Sequence, residues 1–508
     1  MQTPRRGRFF DTARQKPVFS RSERRLLAGL GVLVASSWGR FLATGSLKVD
    51  ESYPTREAGY ALLAALVAGW ALAVTGWRGL LDDPPRAPRR TAYAALGITA
   101  LMLPMLSNDV FSVLSYGAAA ANGHDVYTTT QWLPQAPLYP WLGERWRQTV
   151  CVYGPLTLLA SMPARLAGAS PWAGVAVLRL FWLVPTLCVL ELSLRRLREV
   201  SSFHAMVWLN PLWLVQGPGQ LHADLLGLAL VTAGIVALRG GKDLAALGLY
   251  ALALLGKYSF APAGLWFWLS GPASTRARLA RLGTMGAITV ALALLLYAPF
   301  WKGPETIAAP TRALARMNPG GSITEVMGIV VQFLRTGTVT PPDMAVQGAV
   351  EVDRASKHLS WWLVSWLTRL VFVVIAARVI PVMLRRGAGE DTIALGTGVV
   401  TVALVTIASH RFQCWYLLAA LPFFGLACTP PWRRWWVAVV AVSVPVDFAC
   451  VLERSSVVYP VWGAVSTGAL VVVFLAWFKS RYLDFPGDAR QARAESGAPP
   501  AATAPEAR

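Results

Sequence analysis

Apolar runs of roughly 17 to 22 residues recur from one end of the chain to the other, each long enough to cross a hydrocarbon core of about 30 Å as a helix. Inside such a core every backbone N–H and C=O must be bonded within the protein, which leaves only helices and closed barrels. Runs of this length suit helices, so the sequence predicts an all-α, polytopic integral membrane protein with about 14 transmembrane helices. Composition points the same way: of 508 residues, 55% are hydrophobic, 15% are charged and 22 are Trp, too apolar for an ordinary water-soluble globule. Subtracting the runs leaves no soluble domain.

The formal charge of +20 does not indicate nucleic acid as a partner, because the basic residues sit in short clusters between the runs and form no groove with interleaved aromatics. They read as topology, since Arg and Lys collect in cytoplasmic loops. The arm 1–25, with Arg5, Arg6, Arg8 and Arg14 among its cations, is therefore placed in the cytoplasm. Leu26–Thr44 then runs outward, Gly59–Trp77 returns, the Arg-rich WRGLLDDPPRAPRR stays inside, and Thr91–Leu106 runs outward again. This delivers Asn108 and Asp109 to the outer face. Counting back from a cytoplasmic C-terminus places PPWRRWW, LRRGAGED and TRARLAR inside. It places SHRFQCWY, the segment 301–360 and the stretch Gln220 to Asp224 outside.

Gly154 to Gly168 upsets this alternation if it spans, because RRLRE would then fall outside; short and carrying Pro163 and Arg165, it is expected in the outer interface. The organisation that follows is a basic arm (1–25), a multispan membrane domain (26–483) and a disordered Ala- and Pro-rich cytoplasmic tail (484–508). Two long outer loops, 107–151 and 301–360, interrupt the domain, the second with an amphipathic stretch, VMGIVVQFL. The five cysteines show no metal-ligand spacing and read as small core residues. The first run, behind its basic arm and without a small-residue cleavage site, reads as an anchor.

The loop opening SNDVFSVLSYGAAAANGHDVY, from Ser107 to Tyr127, is the polar exception between two apolar blocks. Asn108 can cap a helix beginning near Val110, and helical spacing then puts Asp109, Val113, Tyr116 and Ala120 on one face. A carboxylate there can take the proton of an acceptor hydroxyl as general base; alternatively Asp109 is a cap or a solvated loop acid. Asn122 to Tyr127, with His124, forms a turn. The aromatics that follow, including Trp132, Tyr139, Trp141 and Trp146, fit either an interfacial belt or a platform for a sugar ring.

Five further positions carry intramembrane or boundary charge. His222 and Asp224 open a run after the break Gly217-Pro218-Gly219-Gln220, and at spacing two they do not share a helix face, which argues against joint metal ligation. Lys257 lies between two short apolar halves, either as a hairpin apex at the outer face or as a charge inside one long run, with a snorkelling lysine as the plainer reading. His410 and Arg411 end one run just before Gln413 and the next. Asp109, His222, Asp224, Lys257 and Arg411 all come out on the outer side from the charge alternation alone.

NDVFSVLSYG, with GHDVY and then VYGPL downstream, resembles the first outer loop of polyprenol-phosphate-mannose-dependent mannosyltransferases of the GT-C class, above all the bacterial α-1,6-mannosyltransferases. The resemblance continues more loosely through LNPLWLVQGPGQLHADLLGLAL, LLGKYSF and SHRFQCWYLLAALPF. It implies a GT-C-like fold in a bacterial inner (plasma) membrane. It also implies inverting transfer of a hexose, with mannose expected, from a polyprenyl-phosphate donor to a glycan or glycolipid acceptor at the outer face. On matching positions it implies Asp109 as base, with Asn108, Tyr116 and Tyr127 in the same motif and Tyr153 in VYGPL. His124, His222, Asp224 and Gln413 are expected to bind substrate, and Lys257, His410 and Arg411 to receive the phosphate charge. Many relatives carry two adjacent acids where this chain has Asn-Asp, so no cofactor is assigned and a divalent metal ion stays open. A second function class, a multispan transporter or lipid flippase, would use His222, Asp224 and Lys257 as a substrate or proton path, although paired inverted repeats are not evident.

Overall fold

The computed structural model describes residues 19–47, 55–85, 87–197, 201–271, 274–316, 334, 354–385, 388–409, 413–427 and 429–448. All regular structure among them is helical. The helices α1 (Arg21–Thr44) and α2 (Arg56–Asp82) pack as a long pair, followed by α3 (Pro88–Thr99) and α4 (Asp109–Ala121). After three 3-10 turns come α5 (Pro155–Ser161), α6 (Pro171–Arg196), α7 (Ser201–Val207) and α8 (Pro211–Leu214). Next are α9 (Asp224–Arg239), α10 (Asp243–Gly256), α11 (Ala263–Leu269), α12 (Thr275–Tyr297) and α13 (Glu305–Arg316). Arg354–Leu384, Glu390–Ala403, Leu421–Leu426 and Pro430–Phe448 complete the helices of the described residues. The basic arm up to residue 18, VMGIVVQFL up to residue 333, the pair His410 and Arg411, and the tail 484–508 lie outside the described residues.

Among the described residues six helical segments are long and apolar enough to cross a membrane: Arg21–Thr44, Glu57–Asp82, Pro171–Arg196, Thr275–Phe300, Leu363–Leu384 and Glu390–Ala408. One run that reads as a single span in sequence is broken. α3 ends at Thr99, where Thr91–Leu106 had been expected to continue, and its 12 residues rise only about 18 Å. Pro104, lacking an N–H and restricting Leu103, keeps the chain out of helix as far as Ser107. Gly154 to Gly168 forms the seven-residue α5 and a 3-10 turn, with Pro163 inside the turn and Arg165 Nη1 donating to the Ala121 carbonyl at 3.2 Å.

The antiparallel pair α9 and α10 sets the polarity of the bundle. Gly241, at φ 72°, closes the turn between them, so the first residue of α9, Asp224, and the residue after α10, Lys257, finish at the same end. At the opposite end Arg281 of α12 pairs with Asp243 at 2.9 Å, and Arg239 pairs with Glu390 at 3.0 Å. Arg89 at the start of α3 likewise pairs with Glu191 near the end of α6 at 2.7 Å, and Arg433 with Asp82 at 3.4 Å. One end of the bundle is thus laced with arginine–carboxylate pairs, and the other holds the Asp224–Lys257 pair.

VYGPL packs directly on the end of α10. Gly154 donates its N–H to the Gly256 carbonyl at 3.2 Å, and Thr157 Oγ1 donates to the same oxygen at 3.0 Å. A Cβ at Gly154 would stand 2.0 Å from the Leu255 carbonyl oxygen, so only glycine permits this approach. Gly154→Ala is expected to destabilise the protein by about 1–3 kcal/mol through overpacking. Gly248→Ala, where a Cβ meets nothing within 4 Å, is expected to gain about 0.5–1 kcal/mol. Thermal melting of the two variants in detergent checks both signs.

Candidate functional site

Asp109 is the first residue of α4, and its side chain keeps 23% of its exposure, while Val110 to Ala120 behind it are buried. Asn108 holds the N-cap position without capping through its side chain; instead Ser107 Oγ accepts the Asp109 N–H at 3.1 Å. Ser112 Oγ donates to the Asp109 carbonyl at 2.7 Å and lies 3.2 Å from the Tyr153 hydroxyl. The helix is stiffened around its first turn, and its carboxylate is the part left open.

What fixes Asp109 relative to the rest of the site is the extended stretch before it. Gln220 Oε1 accepts the N–H groups of Met105 and Leu106 at 2.8 and 2.9 Å, and its Nε2 donates to the Leu103 carbonyl at 3.3 Å. Ser37 Oγ of α1 accepts the Leu103 N–H at 3.0 Å. Arg179 of α6 donates to the Met102 carbonyl at 2.6 Å and to the Gly219 carbonyl at 3.3 Å. Buried backbone away from water must be paired, and here the side chains of Gln220, Ser37 and Arg179 supply the partners. The same contacts tie the approach to Asp109 to the break that carries His222 and Asp224.

That break is irregular on both sides. Residues 215–219 make a π-helical turn, and Leu221 has φ 57°, the left-handed region that non-glycine residues rarely adopt. His222 follows, 2% exposed, with its ring stacked on Trp415 at 3.6 Å and 13°. Its Nδ1 is 3.9 Å from Asp109 Oδ2. Burial, and then the Lys257 ammonium, hold the imidazole well below the usual histidine range, so the ring is neutral. Its Nε2 and the Trp415 Nε1 are buried with no hydrogen-bond partner among the described residues.

Asp224 is wholly buried and forms an ion pair with Lys257, and Ser259 Oγ donates to its other oxygen at 3.2 Å. The Lys257 ammonium also lies over the Tyr416 ring, 4.7 Å from its centroid. Lys257 sits in extended backbone at the end of α10, ahead of the 3-10 turn Tyr258–Phe260. It is neither inside a continuous helix nor snorkelling at a surface. Asp109, His222, Asp224 and Lys257 therefore form one contiguous cluster, walled by Trp415 and Tyr416, and Gln413 stands two residues before Trp415 in the chain.

The loop aromatics do not form an open face. Tyr116 donates its hydroxyl to the Thr149 carbonyl at 2.6 Å, and Tyr127 to the Tyr153 carbonyl at 3.1 Å. Trp146 stacks on Tyr153 at 6.0 Å, Trp132 stands edge-on to Tyr116 at 5.8 Å, and His124 stacks on Trp132 at 6.2 Å. Tyr116, Tyr127 and Tyr153 are buried, so they shape the lobe behind Asp109, while His124 remains exposed at its edge. Sequence reasoning missed Arg179, Ser259, Trp415 and the clamping role of Gln220. The one signal available for Gln220 was an amide beside Gly and Pro inside an apolar run.

Residues 26–270, which include Asp109, His222, Asp224 and Lys257, match the family model described as Alpha-(1->6)-mannopyranosyltransferase, N-terminal domain. The chain is 27% identical over 348 residues to Alpha-(1->6)-mannopyranosyltransferase A of Mycobacterium tuberculosis, covering 66% of this chain and 64% of the relative. It is 28% identical over 172 residues to the protein of the same name from Corynebacterium glutamicum, covering 33% and 35%. These matches span less than two thirds of either relative. The resemblance to α-1,6-mannosyltransferases carried by NDVFSVLSYG is thus found independently over residues 26–270.

The buried pair sets up a non-additive test. Lys257→Met alone leaves the Asp224 carboxylate uncompensated and is expected to cost about 3–5 kcal/mol. Lys257→Met combined with Asp224→Leu removes both charges and is expected to recover most of that loss. Melting temperatures of both single variants and of the double variant in detergent read the difference; a double-variant loss equal to the sum of the two single losses would mean that the pair is not coupled.

Proposed function

We propose that the protein is a membrane mannosyltransferase that moves a mannosyl group, with inversion, from a polyprenyl-phosphate donor to a glycan or glycolipid acceptor. The observation that carries this reading is the part-open Asp109 carboxylate, set among buried groups at the end of the bundle that also holds Asp224 and Lys257. Asp109 accepts the proton of the acceptor hydroxyl as the hydroxyl oxygen bonds to the anomeric carbon. The bond from that carbon to the phosphate oxygen breaks, and its electron pair leaves with the lipid phosphate. A single base and no covalent sugar–enzyme intermediate suffice for inversion.

The leaving phosphate needs positive charge or N–H donors. The Lys257 ammonium has three donors, of which the Asp224 carboxylate takes one, so the pair can hold the cation in place while offering the others. His410 and Arg411, just ahead of Phe412 and Gln413 in the sequence, are proposed to add charge. Trp415 and Tyr416 supply aromatic walls. Asn108, Tyr116, Tyr127 and Tyr153 shape the lobe that presents Asp109, and His124 and Gln413 are proposed to contact the acceptor.

The sidedness of the bundle supports an outer-face site. The positive-inside rule puts the arginine-laced end in the cytoplasm, which leaves Asp109 and Lys257 at the outer side of a bacterial plasma membrane. Purified protein is expected to transfer radiolabelled mannose from polyprenyl-phosphate mannose to a mannose oligosaccharide, and Asp109→Asn at equal folded yield to lose about 10²–10⁴-fold in rate. Equal rates would remove Asp109 from the mechanism. No transfer by the parent with any hexosyl donor would favour a transporter.

A further inference from the structure

Asp109 and His222 arrive from the two strands of backbone that Gln220 and Arg179 tie together, and they meet with Nδ1 3.9 Å from Oδ2. Resting on the reading of Asp109 as the base, we infer that His222 is its positioning residue: an Nδ1–H tautomer turns Oδ2 toward the ring and leaves Oδ1 for the acceptor hydroxyl. Neither oxygen of Asp109 is engaged by a closer donor in the contacts described above.

Three observations make the ring suited to this. It is held in place, because one face lies on Trp415 at 3.6 Å and the side chain is buried. It is neutral, so it presents one donor and one acceptor nitrogen. A lone pair facing the carboxylate would be repelled, so the proton belongs on Nδ1, and Nε2 becomes the buried acceptor with no partner among the described residues. The 3.9 Å separation exceeds a hydrogen bond; contacts of this kind are often long without substrate and tighten in the reacting complex. A base whose free oxygen is fixed in direction loses less freedom when the acceptor docks.

The ring is also readable, since the chain has only five histidines. Magic-angle-spinning NMR of protein carrying ¹⁵N-imidazole label in bilayers, with His222→Asn to assign the signal, is expected to show a neutral Nδ1–H tautomer. Its Nδ1 resonance is expected to move in Asp109→Asn. An Nε2–H tautomer, or a resonance indifferent to Asp109→Asn, overturns the inference. Because this readout needs no turnover, it stands apart from failure of the mannosyltransferase reading, which appears instead as a parent without transfer.

Kinetics supply the second arm. The amide nitrogen of His222→Asn falls at the Nδ1 position, that of His222→Gln at the Nε2 position, and His222→Phe keeps only the stack on Trp415. The Asn variant is expected to stay within about tenfold of the parent in kcat, while Gln and Phe lose about a hundredfold with KM for the donor little changed. A Phe variant equal to Asn, at equal melting temperature, would mean that His222 only packs.

Discussion

The Gln220 carboxamide is the contact on which the rest of the site depends. Pro104 denies α3 the chance to run on, and a membrane protein has no water to satisfy the N–H groups that the break exposes. Oε1 of Gln220 takes two of them, Nε2 takes the Leu103 carbonyl, and Ser37 takes the Leu103 N–H. A net hydrogen bond contributes about 1 kcal/mol, but leaving such groups buried and unmade costs about 1–3 kcal/mol each. The irregular segment is therefore stable only against Gln220, and Asp109 and His222 are held in register as a consequence.

Around that clamp the charges are arranged so that few are left alone. Taking a carboxylate or an ammonium out of water costs several kcal/mol, which Asp224 and Lys257 offset by meeting each other, with Ser259 and the Tyr416 ring completing the shell. Asp109 is the exception, part-open and 3.9 Å from a neutral imidazole. The combination leaves one carboxylate free to accept a proton beside a cation held in place. At the other end of the bundle Arg281, Arg239, Arg89 and Arg433 are spent on helix-to-helix pairs, a structural use of charge.

Much of this was legible in the sequence, and the reason is charge. Because Arg and Lys mark loops on one side, the alternation of runs put Asp109, His222, Asp224 and Lys257 at a common end without any contact information, and the chain does gather these four. What charge cannot tell is whether a run is continuous. Thr91–Leu106 looks like a single span by hydropathy, yet α3 stops at Thr99 ahead of Pro104, and around Lys257 the choice between a hairpin apex and one long run is decided only by the end of α10 at Gly256. Helical spacing placed Tyr116 on the face of Asp109, but in a helix buried on nearly every side a shared face says little about what each side chain meets. Tyr116 meets the Thr149 carbonyl. The Gln220 clamp lay beyond reach, since it joins residues more than a hundred positions apart through an amide that has no periodicity to betray it.

The central claim is that sugar transfer takes place at the Asp109 and Lys257 end of the bundle. Its most direct test is a cryo-EM structure of the full chain with a non-cleavable mannosyl phosphonate carrying a polyprenyl tail and a mannose oligosaccharide as acceptor. The account predicts an acceptor hydroxyl within about 3 Å of the Asp109 carboxylate, with the phosphonate on the Lys257 side. A sugar bound at the arginine-laced end, or bound with Asp109 out of reach of any hydroxyl, would contradict it.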